Sequence, residues 1–337
     1  MEIKELGEFG LIDRLTGDIQ PQHSSTVLGI GDDCAILEMG SQQTLVTSDI
    51  LLEGVHFNLE YVPLKHLGWK AIAVNISDIV AMGGVPSQVI VDLGISARFR
   101  VEDMEELYAG MKAACAHYDV DLVGGDTTAS VNGLTIAITA IGHVTKGKAI
   151  RRSGAKKNDL ICCTGNLGAA YMGLQLLERE RQAGSSDAQS QAAFEGHEYI
   201  LQRQLKPEAR IDVIRDLRKA GIQPTAMMDI SDGLSSELIH ICQASHVGCD
   251  VYADKLPVDY DSAKMAEEMN LDIVTCALNG GEDYELLFTI DQKDYEKIIP
   301  VEDVHIIGYI QDEADGCNLV TREGNEIPLR AQGYVGM

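Results

Sequence analysis

Apolar residues recur along this chain at two spacings, and each predicts a different element. From Leu134 to Ile141 they alternate with Thr or Ala, the period of a strand with one buried face. Thr44 to Ser48 and Gln88 to Leu93 are also strand-like, and Val120 to Val123 predicts a short buried strand. Leu64 to Met82 instead carries Leu67, Ile72, Val74, Ile76, Ile79 and Val80 at helical spacing, and Glu102 to Tyr118 predicts a second helix. A charged, Gly-containing stretch from Thr145 to Asn158 follows and marks the expected domain junction. Beyond it the pattern resumes. Strands are predicted at Leu160 to Thr164, Thr225 to Ile230, Cys249 to Tyr252, Tyr284 to Ile290, Val304 to Ile310 and Gly316 to Val320, and helices at Pro207 to Ala220 and Leu234 to Ser245. Glu178 to Glu195 is polar and reads as an exposed loop or a frayed helix end. The expected class is α/β (α+β) in two domains, 1–150 and 151–337.

Several of the apolar runs end in small residues followed by an aspartate. Val27 to Gly31 leads into Asp32 and Asp33, Leu45 to Ser48 into Asp49, and Ala71 to Ser77 into Asp78. Leu122 to Gly125 leads into Asp126, and Ala226 to Ser231 contains Asp229 and leads into Asp232. A carboxylate at the mouth of a core is costly unless something positive compensates it. One such site is an ordinary turn or cap; five suggest carboxylates converging on divalent cations. Adjacent carboxylates about 4 Å apart repel by about 4 kcal/mol at an effective dielectric near 20, and a divalent cation reverses that sign.

Each motif has a plainer reading beside this one. Asp32-Asp33 alone fits a surface turn. Thr47-Ser48-Asp49 supplies two hydroxyls and a carboxylate, donors that suit magnesium. Asn75 and Asp78 share a helix face, where an Asn–Asp interhelical hydrogen bond is as good an account as a metal. His56 is as readily structural as functional. Gly124-Gly125-Asp126 offers backbone N–H groups to phosphate, but no Walker or dinucleotide fingerprint is present. Arg151-Arg152 is a candidate for a terminal phosphate. The turn Asn279-Gly-Gly-Glu-Asp-Tyr-Glu285 suits either a ligand contact or a tight strand entry.

Composition narrows the function. The net charge is −25 over 337 residues, which leaves no basic stripe for nucleic acid. A phosphate ligand still fits if metal ions lie between the two sets of negative charge. No apolar run reaches membrane-spanning length, and the N-terminus lacks an apolar signal core, so a cytoplasmic protein is expected. The eight cysteines are scattered without a C-x-x-C pair, which favours free buried thiols over disulfides or a structural zinc site.

Taken together, GIGDDCA, TSDILLEGVHF, AVNISDIVAMGG, LVGGDTT, RRSGA, DISDGL and NGGEDYEL resemble the thiamine-monophosphate kinases. That family belongs to the ATP-binding superfamily of aminoimidazole ribonucleotide synthetase and selenophosphate synthetase. The resemblance implies an N-terminal domain forming a barrel across a dimer interface, a C-terminal α/β domain, and an ATP site between them. It implies ATP-dependent phosphorylation of thiamine monophosphate with several Mg2+ ions in a homodimer. The acceptor phosphate is already an oxyanion and no motif offers an activated nucleophile, so no protein nucleophile or base is assigned. Asp33, Thr47, Ser48, Asp49, Asp78, Asp126, Asp229 and Asp232 match the family's metal positions. Gly125, Asp126, Arg152 and Ser231 match its ATP contacts, and His56, Glu282 and Tyr334 match its thiamine phosphate contacts. The alternatives are another ATP-dependent enzyme of the superfamily or a catalytically silent nucleotide sensor.

Overall fold

A computed structural model of the chain describes residues 26–28, 31–184 and 193–331. Its first sheet has six strands: β1 (Thr26–Leu28), β2 (Ala35–Met39), β3 (Gln42–Leu52), β4 (Val85–Ile95), β5 (Asp121–Ala129) and β6 (Leu134–Thr145). Their order is β1-β2-β3-β6-β4-β5, with only β4 and β5 parallel. Helices α1 (Leu64–Ala81) and α2 (Val101–Tyr118) pack against it and against each other. Their contact is unusually close. A Cβ on Gly68 would lie 2.0 Å from the Leu107 carbonyl oxygen, and one on Gly110 would lie 1.9 Å from that of Lys65. The helix glycines thus exchange intrinsic propensity for close packing.

The second sheet comprises β7 (Leu160–Thr164), β8 (Ala226–Asp229), β9 (Val247–Tyr252), β10 (Leu286–Ile290), β11 (Val304–Asp312), β12 (Cys317–Val320) and β13 (Glu326–Pro328). Its order is β13-β12-β9-β11-β7-β10-β8, and β9–β12 is the parallel pair. Helices here include α3 (Ala169–Ala183), α4 (Glu198–Leu205), α5 (Ile211–Lys219) and α6 (Leu234–Ser245). The two sheets share a core: Cys162, Leu217, Met227 and Phe288 belong to the same buried cluster as Ile72, Ile79 and Val91. Across this boundary the Trp69 indole N–H donates to the Pro207 carbonyl at 2.8 Å. No helix among the described residues is long and apolar enough to cross a membrane.

Two expectations are corrected. The strand after α2 is not buried: β5 is the edge of its sheet and is exposed along nearly its whole length, with Val123 57% exposed. An apolar run reads the same whether neighbours cover it or not. Helix α5 starts at Ile211 rather than at Pro207, because Arg210 at its N-cap lies outside helical geometry. The polar stretch from Glu178 is helical as far as Ala183, and residues 185–192 lie outside the described residues.

Candidate active site

The two sheets flank a cleft of about 1100 Å³, and the aspartates gather at its floor. Three elements deliver them. The turn before β2 brings Asp33, the last turns of α1 bring Asp78, and the end of β8 brings Asp229. Carboxylate oxygens of these three lie within 4.8 Å of one another. Asp49 and Asp232 line the same cleft.

The surrounding polar groups hold this cluster in place. Thr47 Oγ1 donates to Asp78 Oδ2 at 2.6 Å, and Ser77 Oγ donates to Asp229 Oδ2 at 2.5 Å. Asn75, fully buried, accepts from the Asp49 N–H at 3.0 Å and donates to the Ala71 carbonyl. Asn75 therefore aligns β3 on α1 through a backbone N–H, rather than through an interhelical Asn–Asp bond. Arg152 grips Asp33 with two nitrogens, Nη2 at 2.9 Å and Nε at 3.1 Å, and its backbone N–H approaches the Asp32 carboxylate.

Ser48 also lines the cleft, but its side chain leaves the other face of the strand. Leu45, Thr47, Asp49 and Leu51 share one parity of β3, with Leu45 and Leu51 buried, and Ser48 has the opposite parity. Its hydroxyl lies 3.1 Å from that of Thr139. The TSD motif thus aims one hydroxyl, that of Thr47, at the acidic cluster.

Gly125 and Asp126 are not brought to the cleft within one chain. Asp49, Ile138, Val91 and Gly125 form one row across β3, β6, β4 and β5. Three strand spacings separate its ends, about 14 Å. Gly125 also has a local reason to be glycine: its φ is +150°, and a Cβ would sit 1.7 Å from the Val91 carbonyl oxygen.

At the other end of the cleft, His56 Nδ1 accepts from the Leu52 N–H at 3.0 Å, which makes the neutral ring the Nε2–H tautomer. Glu282 pairs with Lys70 Nζ at 2.7 Å and with Gln204 Nε2 at 2.8 Å. Lys70 and Gln204, both buried, were not picked out in the sequence. A lysine between Trp69 and Ala71 on a helix buried nearly all round was the available signal. Glu282 and Tyr284 both have positive φ, +58° and +51°. The chain between them is held by Arg203, which donates to the Asp283 carbonyl and to Glu285, while Arg210 takes the other Glu285 oxygen at 2.6 Å. Glu237 was also missed. It is buried, and one of its oxygens accepts from the Asp232 N–H at 2.8 Å and the Ser231 N–H at 3.2 Å. Tyr334 lies outside the described residues.

Crowding raises the proton affinity of these acids. Burial, then the Asp33 charge, pushes Asp229 up to about 7 and Asp49 up to about 6. Asp32 rises to about 7 for the same reasons. Burial, then Asp229, pushes Asp78 well above the carboxylate range. Hard oxygen donors that hold protons for want of a counter-charge fit a divalent cation such as magnesium.

The sign of the pH effect follows. The folded chain retains protons that the unfolded chain has lost above the ordinary value of 3.8. This contribution to stability is complete below about pH 4 and is lost as pH rises through 6 to 7. In chelator, the melting temperature should therefore fall between pH 5 and 8 relative to a chain carrying Asp78→Asn and Asp229→Asn. Magnesium should restore more stability at pH 8 than at pH 5, with proton release seen as buffer-dependent binding heat. A magnesium effect independent of pH would contradict this.

Residues 31–144 match the family model for AIR synthase related protein, N-terminal domain. Over 338 residues, the chain is 33% identical to a thiamine-monophosphate kinase of Bacillus subtilis (strain 168), spanning 98% of this chain and 99% of that one. It is 36% identical to the Aquifex aeolicus (strain VF5) thiamine-monophosphate kinase over 305 residues, 90% and 92% of the two chains. A solved structure of AaThiL complexed with AMPPCP and TMP superposes with a TM-score of 0.82 at 34% identity, covering 97% of this chain and 96% of that one. With identity above 30% along almost the whole length of such relatives, the chain belongs to the thiamine-monophosphate kinase family.

Proposed function

We propose that the chain transfers the γ-phosphoryl group of ATP directly to the phosphate of thiamine monophosphate, giving thiamine diphosphate and ADP. The carrying observation is the convergence of Asp33, Asp78 and Asp229 at the floor of a cleft large enough for both substrates. A relative of the same fold, solved with AMPPCP and TMP, supports the same pair of ligands here. Donor and acceptor are both anions, so their approach is the obstacle, and positioning with charge neutralisation is the remedy. Asp33, Thr47, Ser48, Asp49, Asp78, Asp126, Asp229 and Asp232 are the residues proposed to hold Mg2+, with Ser48 limited to its backbone. Bound magnesium supplies the positive charge that offsets both phosphate groups.

The chain's own groups do the rest. Arg152, whose Nε and Nη2 hold Asp33, is the residue proposed to donate to a phosphate oxygen. Ser231 and the loop that Glu237 anchors take the nucleotide side, together with Gly125 and Asp126. His56, through its Nε2–H, Glu282 and Tyr334 take thiamine monophosphate. Glu282 already shares its charge with Lys70, so it contributes shape and hydrogen bonding to the ring more than a full negative charge. The acceptor phosphate is ionised at neutral pH, so no general base is assigned.

The exposed edge strand β5 supports the dimer reading. An uncovered nine-residue edge is a ready surface for a second chain. A partner there would close the barrel and put Gly125 and Asp126 at the interface. Residues 1–150 then form the nucleotide and dimerisation domain, and 151–337 the domain that completes the substrate site in a cytoplasmic enzyme.

Direct transfer requires both substrates bound together. Double-reciprocal plots should intersect, and labelled ATP alone should leave no label on the protein. Parallel lines with a trapped aspartyl or histidyl phosphate would contradict direct transfer, and His56 would be the first residue to test.

A further inference from the structure

Three of the cysteines converge in the second sheet, and none of them lines the cleft. Cys249 on β9 and Cys317 on β12 are register partners across the parallel pair, so their side chains leave the same face. Cys242 on α6 completes the group, and the three sulfur atoms lie within 4.8 Å of one another. The chain segments involved are 75 residues apart at their extremes, which is why no C-x-x-C spacing announces them.

Three small apolar side chains filling a core is the plain account of such a group. Two features go beyond it. Cys242 and Cys249 are buried but Cys317 is only partly so, which leaves the group a side open to solvent. The three thiols are also coupled through shared hydrogen bonds: Cys242 and then Cys249 draw the Cys317 thiol down, while hydrogen bonds to Cys242 and Cys317, then burial, push the Cys249 thiol up. Thiols that share protons in this way offer several sulfurs to one cation that displaces those protons.

We propose that Cys242, Cys249 and Cys317 form a binding site for a thiophilic d10 cation, Zn(II) or Cu(I), held by three sulfurs. With metal–sulfur bonds of about 2.3 Å, three sulfurs around one ion lie about 4.0 Å apart in a planar three-coordinate site and about 3.8 Å apart in a tetrahedral one whose fourth ligand is water. Separations of up to 4.8 Å therefore close with a contraction of at most about 1.0 Å. Thiolates select these soft ions, whereas the carboxylate cluster in the cleft selects hard magnesium, so the two sites do not compete for one metal. Binding replaces S–H by S–metal bonds. Each remaining thiol proton passes to solvent, and neither sulfur nor metal changes oxidation state. The bound ion ties α6 to β9 and β12, next to the edge strand β13.

The test uses the full, reduced chain titrated with Cd(II) as a spectroscopic stand-in for Zn(II), with Zn(II) and Cu(I) added in separate competition arms. One equivalent of Cd(II) should produce a thiolate-to-metal charge-transfer band, and Zn(II) or Cu(I) should remove it; whichever binds more tightly identifies the ion. Cys317→Ser should weaken binding by at least about a hundredfold, while Cys115→Ser should leave band and affinity unchanged. No charge-transfer band in the reduced wild-type chain would overturn the proposal. So would a band that survives in Cys317→Ser, or a disulfide between any two of the three in chain purified without reductant.

Discussion

Asp78→Asn is expected to lower turnover by about a thousandfold or more, the scale on which a charge-stabilising group in an active site acts, and to leave the fold intact. Asp78 is half-buried at the centre of the acidic cluster, facing both Asp229 and Asp33. An asparagine there has nearly the same shape, and its carbonyl oxygen still accepts from Thr47 Oγ1, so packing is preserved. Without metal the substitution removes like-charge repulsion, so the melting temperature in chelator should hold or rise. With metal it would remove one of the carboxylates proposed to hold magnesium between the two phosphate groups. The measurement is kcat across a magnesium titration alongside thermal melts. A variant that keeps most of its turnover at saturating magnesium would make Asp78 a helix-packing polar group and nothing more.

Much of the scaffold was legible because two periodicities are strong. The predicted helix at Leu64 to Met82 is found at Leu64–Ala81, followed by the glycines that stop it, and that at Glu102 to Tyr118 is found at Val101–Tyr118. The alternation from Leu134 to Ile141 became the first part of β6. The acidic floor was legible as well, since carboxylates at the ends of apolar runs have few structural explanations.

What was not legible depended on which surfaces meet. The apolar residues of β5 do not reveal that it is an edge, and the distance of Asp126 from Asp49 is set by strand order, which no local pattern encodes. The face of Ser48 was recoverable: Leu45 and Leu51 are buried, and counting by twos from either excludes it. Lys70 and Glu237 were passed over because single charges in helices are common. Burial gives them meaning, one neutralising Glu282 and the other capping the Ser231–Asp232 turn. The three cysteines, read as scattered free thiols, converge through sheet register alone.

Acceptor selectivity is the second large effect, and it tests the central claim. Free thiamine has no phosphate, so the oxyanion that attacks the γ-phosphorus is missing. Its hydroxyl is a far weaker nucleophile, and no base is assigned to activate it. The decisive measurement is rapid-quench transfer from γ-labelled ATP with magnesium, offering thiamine monophosphate or thiamine at equal concentration. The label should appear in thiamine diphosphate with thiamine monophosphate, should fail to appear in any thiamine phosphate when thiamine is offered, and should stay in ATP when chelator replaces magnesium. Comparable labelling from free thiamine, or transfer that persists in chelator, would contradict the account.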